Sequence, residues 1–271
     1  MSAIEAIVLG LVQGLTEFLP ISSSGHLRIA PALFGWEDPG AAFTAVIQLG
    51  TMAAVLLYFR RDLWRIGVAW LRELRVPFRQ RSHEANLGWF IVLGTIPISI
   101  FGFVFSDQIE SGARDLYLIG SALILFSLVM LLAEHVSSRR RELTTMNARD
   151  GAFIGFAQAL ALIPGVSRSG ATISAGLFRG FDRTAAARYS FLLSVPAVVL
   201  SGLFELRDIG GGDSASIGAT ILATLVAFAS GYAAIAWLLR YLVNHSLRVF
   251  VAYRIPLGVL VIVLAASGAI S

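Results

Sequence analysis

The stretch Gln13-Gly-Leu-Thr-Glu17-Phe-Leu-Pro20-Ile-Ser22-Ser23-Ser24-Gly25-His26 decides the fold. It lies in the middle of an apolar run, Ala3–Leu33, and breaks it with a proline, three consecutive serines and a glycine. A lipid-facing helix cannot carry such a break, because the freed backbone groups would have no hydrogen-bond partners. At membrane depth it is tolerated only where it is buried in protein or lines a wet cavity. Each half of the run is too short to span a bilayer, which takes about 20 apolar residues. The segment therefore reads as a re-entrant broken helix.

A second segment, Ala152–Phe178, is broken in the same way by Pro164-Gly165-Val166-Ser167-Arg168-Ser169-Gly170-Ala171-Thr172. A shift of 145 residues aligns the two. Gly10 meets Gly155, Gln13 meets Gln158, Leu15 meets Leu160, Ser22 meets Ser167, and Ser24 meets Ser169. Gly25 then meets Gly170, Ala30 meets Ala175, and Gly35 meets Gly180, while Pro20 and Pro164 fall one position out of register. Between the breaks lie three of six unbroken apolar segments, Ala41–Phe59, Leu87–Phe105 and Leu116–Glu134. The other three are Ala185–Leu206, Ile217–Leu239 and Val249–Ile270. Three spans is an odd number, so the second copy enters from the opposite face, as in an inverted-topology repeat whose broken segments meet near the midplane.

Composition agrees with this class. Of 271 residues, 56% are hydrophobic and 14% charged, against roughly 25% charged in a soluble domain. The expected fold is an all-α polytopic membrane protein, one integral domain over residues 1–271. It has about six transmembrane helices and two re-entrant segments, with repeats over about 1–134 and 150–271. The N-terminal run has Glu5, no basic residue ahead of it and no small-residue cleavage pattern, so it does not read as a secretory signal. There is no cysteine, which excludes disulfides, thiolate metal sites and cysteine nucleophiles. All 21 basic residues are arginine, which excludes a Schiff-base or P-loop lysine.

The arginines report topology, and the net charge of +4 points to no nucleic-acid partner. Arg60–Arg81 holds seven arginines, four more follow the third span, and Arg240, Arg248 and Arg254 flank the last turn. The loops Ser106–Asp115 and Arg207–Ser216 are richer in acids. The positive-inside rule makes the arginine-rich loops cytoplasmic and both termini external. Trp64, Trp70 and Trp89 read as interface anchors.

Glu17, His26 and Arg168 are ionisable groups inside apolar segments, where such groups are expensive and mark a site by default. An arginine fork suits phosphate. The hydroxyls of Ser22, Ser23, Ser24, Ser167, Ser169 and Thr172, with the close backbone approach allowed at Gly25 and Gly170, add donors around an anion. Two half-helix N-termini arriving from opposite faces suit a diphosphate. Glu17, with Gln13 one turn before it, adds a base or a divalent-metal ligand. Either Ser23 or His26 is the nucleophile. The bland alternative has Arg168 paired with Glu17 as a clamp between the repeats.

These residues resemble the bacterial undecaprenyl-diphosphate phosphatases, the BacA-type bacitracin-resistance family. The resemblance runs along the whole chain and is most specific at Gln13–His26, Phe43–Gly50 and Pro164–Thr172. The family's Glu/Gln followed four residues later by Glu is met by Gln13 and Glu17. Its Pro-Gly-x-Ser-Arg-Ser-x-x-Thr motif is met in full. The resemblance implies hydrolysis of undecaprenyl diphosphate to undecaprenyl phosphate in the bacterial plasma membrane, which recycles the carrier of peptidoglycan synthesis and gives bacitracin resistance. It also implies a divalent metal (Mg or Ca), a site open to the outer face, and homodimers. Gln13 offers a metal no second carboxylate. The competing reading is an inverted-repeat transporter or flippase for polyprenyl phosphate or another anion.

Overall fold

A computed structural model describes residues 1–106, 108–109, 115–205 and 216–270. Among them the regular elements are all helices, with one isolated bridge between Arg141 and Phe181. In chain order they are α1 (Ala3–Phe18), α2 (Ser23–Phe34), α3 (Gly40–Tyr58), α4 (Arg60–Arg72), α5 (His83–Val104) and α6 (Leu116–Val136). Then come α7 (Ala148–Ala159), α8 (Arg168–Phe178), α9 (Arg183–Glu205), α10 (Ile217–Asn244) and α11 (Arg248–Ala266). The chain is thus an all-α polytopic membrane protein. Helices α5, α6, α10 and α11 are each long and apolar enough to cross a bilayer. Helix α3 is apolar too but turns by 75° into α4. The fourth expected span, α9, is more polar than the others because Arg183, Arg188, Ser190 and Ser194 lie in its first half.

The Arg60–Arg81 loop needs correction, because its first half is the helix α4. Leu63, Ile66 and Trp70 recur at helical spacing and turn inward: Leu63 and Ile66 join the main core, and Trp70 packs on Trp89 of α5. Of the acid-containing loops that assign sides, Ser106–Asp115 and Arg207–Ser216, positions 107, 110–114 and 207–215 lie outside the described residues.

Ion pairs gather one set of helix ends. Glu134, at the end of α6, accepts from Arg183 of α9 at 2.8 Å and from the Leu247 N–H between α10 and α11 at 2.8 Å. Asp150, in the first turn of α7, accepts from Arg141 at 2.6 Å and from Arg179, just past α8, at 2.7 Å. Asp62 of α4 accepts from Arg188 of α9 at 2.9 Å. The α7–α8 hairpin therefore enters and leaves at this arginine-rich end.

The α1–α2 hairpin opens at the opposite end. There Met1 and Leu9 of its first arm line a small cavity with Trp36 and Pro39, which follow its second arm. Ile29 of α2 packs there with Leu116 at the start of α6 and Ile270 beyond α11. Both hairpins start from the same device. Ser2 caps α1 in a reciprocal box with Glu5, and Asn147 caps α7 in a reciprocal box with Asp150. The cap pair and the acid pair are each 145 residues apart.

Each hairpin packs on a helix of the other half. Helix α1 lies along α10 and α7 lies along α5. The contacts are backbone-close. A Cβ at Gly14 would fall 2.6 Å from the Ala227 carbonyl oxygen, and one at Gly155 would fall 2.5 Å from the Gly94 Cα. Small residues let helices approach this way where lipid supplies no hydrophobic drive for association.

Candidate active site

The two breaks meet in the interior. Ser22 and Ser167 are each the N-cap of the following helix, and both sit at φ 77. A non-glycine residue with positive φ is uncommon and strained; here it occurs at the same point of both repeats. Each cap oxygen accepts the N–H three residues on, Gly25 at 3.4 Å and Gly170 at 3.2 Å. Each also bonds the hydroxyl two residues on, Ser24 at 3.3 Å and Ser169 at 3.1 Å. The same Ser-x-Ser-Gly sequence thus builds the same strained cap twice.

The first residue of each capped helix points at one carboxylate. Ser23, first in α2, donates to Glu17 Oε2 at 2.7 Å. Arg168, first in α8, forms an ion pair with Glu17 Oε1. Gln13, one turn before Glu17, donates to Oε2 at 3.2 Å. The Arg168 guanidinium is held from a second side by the Ser194 carbonyl at 3.2 Å, so its plane is set in advance. Ser23 and Arg168 are half-buried and Ser24 is exposed. This arrangement can take a proton from a hydroxyl and hold an anion beside it.

His26 is bonded at both ring nitrogens. Nδ1 lies 2.7 Å from the Ser22 carbonyl, which can only accept, so this nitrogen carries the hydrogen. Nε2 is then bare and accepts from the Tyr253 hydroxyl at 2.7 Å, and the two rings stack. His26 makes no bond to Ser23. The remaining expected ligands are placed differently from one another. Ser22, Ser167, Gly25 and Gly170 are committed to capping. Ser169 donates across to the Leu19 carbonyl of the first break at 3.1 Å. Thr172 is buried and bonds Ser190 at 2.6 Å and the Arg168 carbonyl at 2.8 Å.

A family model for the bacitracin resistance protein BacA matches residues 6–260. The chain belongs to the BacA family. Proteins named undecaprenyl-diphosphatase are similar along its whole length. The one from Thermobifida fusca is 54% identical over 100% of this chain and 93% of its own. The one from a Nocardioides species is 55% identical over 99% and 98%, and that from Mycolicibacterium smegmatis 53% over 100% and 99%.

In this BacA chain the most buried cation is one that the sequence reading assigned to a cytoplasmic turn. Arg254 lies two turns inside α11 and is 0% exposed. It donates to the Ser127 hydroxyl of α6 at 3.0 Å, to the Pro20 carbonyl of the first break at 3.1 Å, and to Gly165 and Val166 carbonyls of the second at 2.9 and 3.2 Å. One guanidinium thereby serves three carbonyls of the two breaks. Its signal in the sequence was a charge set within the apolar run that begins at Val249. Tyr253 carried no signal of its own.

The expected metal ligands Glu17 and Gln13 offer a divalent ion one carboxylate and one amide carbonyl. Among the described residues no three His, Asp or Glu side chains converge. Glu17 is the one carboxylate at the breaks, and Arg168, Ser23 and Gln13 engage both of its oxygens.

Proposed function

We propose that this BacA protein hydrolyses undecaprenyl diphosphate to undecaprenyl phosphate and inorganic phosphate. The names of its relatives and its family support the reaction. The Ser23–Glu17 hydrogen bond carries the assignment of roles. Ser23 Oγ passes its proton to Glu17 and bonds to the terminal phosphorus. The anhydride P–O bond breaks, and undecaprenyl phosphate leaves. Water then attacks the phosphoserine. Oγ regains the proton held by Glu17, while one proton of the water stays on the released phosphate and the other passes to solvent. Arg168 stabilises charge on the transferred group, which is the usual largest contribution to phosphoryl transfer. His26, with both nitrogens engaged, supports the Ser22 cap and is not the attacking group.

The site opens to the outer face in this proposal. The α1–α2 hairpin that carries Ser23 and Ser24 opens at the end away from the arginines, and the positive-inside rule puts the arginines in the cytoplasm. Any divalent cation enters with the diphosphate as its counter-ion. Homodimers rest on the family resemblance alone. Paired broken hairpins are also the architecture of carriers, but the hydroxyl of Ser23 hydrogen-bonded to the Glu17 carboxylate favours hydrolysis. Phosphate release by purified protein in detergent, where no second compartment exists, separates the two. The expected result is turnover by the wild type and a loss of at least about a thousandfold in Ser23→Ala, the scale of removing a nucleophile. Prenyl phosphate movement across vesicles without phosphate release in detergent would establish the carrier instead.

A further inference from the structure

Helix α4 presents a second face that the bundle does not use. Its inward side holds Asp62, Leu63, Ile66 and Trp70, which pack on α5, α9 and the core. On the outward side Trp64 is 73% exposed and Leu71 is 60% exposed, with Val68 between them. At positions i, i+4 and i+7 these three make one stripe. Arginines flank it. Arg61 and Arg72 are exposed, as are Arg75 and Arg79 just beyond the helix. No described carboxylate pairs with any of these four. The two nearby acids are taken: Asp62 accepts from Arg188 and Arg65 at 2.9 Å each, and Glu73 accepts the Ser82 N–H at 2.6 Å.

The 75° turn between α3 and α4 lays this face across the end of the bundle rather than along a span. A helix in that attitude, with an aromatic-aliphatic stripe between unpaired arginines, has the composition of an interfacial helix. We propose that α4 is a binding surface for anionic lipid headgroups of the leaflet at the arginine-rich end. Trp64, Val68 and Leu71 insert at the acyl boundary, and Arg61 and Arg72, three turns apart along one flank of the stripe, take headgroup phosphates near its two ends. The occupant is lipid rather than a second copy of the chain because the unpaired charge is all of one sign. An isologous contact would set these arginines against one another.

Two measurements test this, and neither depends on hydrolysis. In the first, purified protein is offered equal phosphatidylglycerol and phosphatidylcholine, and retained lipid is read by native mass spectrometry. The wild type should retain phosphatidylglycerol preferentially. Each arginine near an anionic surface is worth about fivefold in affinity, so Arg61→Gln/Arg72→Gln should cut that preference about tenfold or more. Full activity in detergent is the control for folding. Equal retention of the two lipids by the wild type, or an unchanged preference in the variant, overturns the proposal. The second measurement uses the absence of native cysteine. A spin label at Leu71→Cys in phosphatidylglycerol-containing vesicles should be reached by oxygen and shielded from a water-soluble relaxant. A water-exposed label overturns the proposal. So does strong dipolar coupling between labels, which would make the face a contact between copies.

Discussion

Ser23 and Arg168 stand at the same position of the two repeats, 145 residues apart, and both donate to the same carboxylate, Glu17. Position 162, the counterpart of Glu17, is a leucine. One acid therefore serves two equivalent helix starts, and the chemistry comes from what differs between the copies rather than from what they share.

The Arg168–Glu17 ion pair resembles a clamp, and a lysine separates clamp from catalyst. Lysine keeps the charge but gives a point contact in place of a fork. Arg168→Lys should lower turnover at saturating short-chain prenyl diphosphate at least about tenfold, since a lost charge-stabilising donor typically costs about 10²–10³. Turnover within twofold of wild type, in protein that elutes normally on gel filtration, would leave Arg168 as a clamp.

Glu17→Gln keeps the shape of the side chain and removes the base. Turnover should fall by about 10²–10⁴, the range of a general-base contribution. Near-normal phosphate release by the folded variant would take Glu17 out of the proton path.

Tyr253→Phe removes the one donor to His26 Nε2 and leaves the stacking intact. One hydrogen bond of about 1 kcal/mol is worth about fivefold, so a loss of that order in turnover is expected. A loss as deep as that of Ser23→Ala would mean that the His26 ring takes a direct part in the reaction and does not only support the cap.

Arg254→Met should destabilise the fold severely. It leaves the Pro20, Gly165 and Val166 carbonyls without that donor in the interior, and each buried acceptor left unsatisfied costs about 1–3 kcal/mol. A large drop in the thermal midpoint in detergent is expected. A midpoint like the wild type's would mean that water replaces the guanidinium between the breaks.

The orientation predicts that a cysteine at Gln80, in the segment after α4, faces the cytoplasm. Labelling of Gln80→Cys by an impermeant reagent in intact cells would reverse the whole topology.

The breaks, their repeat and Glu17, Ser23 and Arg168 as candidate residues are legible because each break is a short run of neighbouring residues, while the choice between Ser23 and His26 is not. The glycines, serines and prolines say where a helix stops, and a charge in an apolar run says where function sits. What escaped is long-range or was read through the wrong rule. Ser194 reaches Arg168 through its backbone carbonyl, which no side-chain pattern announces. Arg254 follows Arg248 closely and so counts with the topology arginines, although six residues of α11 come first. Helix α4 was visible in Leu63, Ile66 and Trp70, but the density of arginine around them suggested an unstructured loop. The matched capping boxes, Ser2 with Glu5 and Asn147 with Asp150, lay on the same 145-residue register and would have extended it to both hairpin starts.

The packing of α1 on α10 and of α7 on α5 bears on how such a molecule can arise. A half-length chain lacks the helix on which the first arm of its own hairpin mainly packs. It would have to assemble with a second copy inserted upside down in the bilayer. Two identical chains in that arrangement would offer two serines or two arginines to the central carboxylates, never one of each. Joining the copies in one polypeptide is what frees the positions now held by Ser23 and Arg168 to diverge. A symmetric ancestor of this architecture could bind an anion at its centre, but it could not set a hydroxyl opposite a guanidinium there.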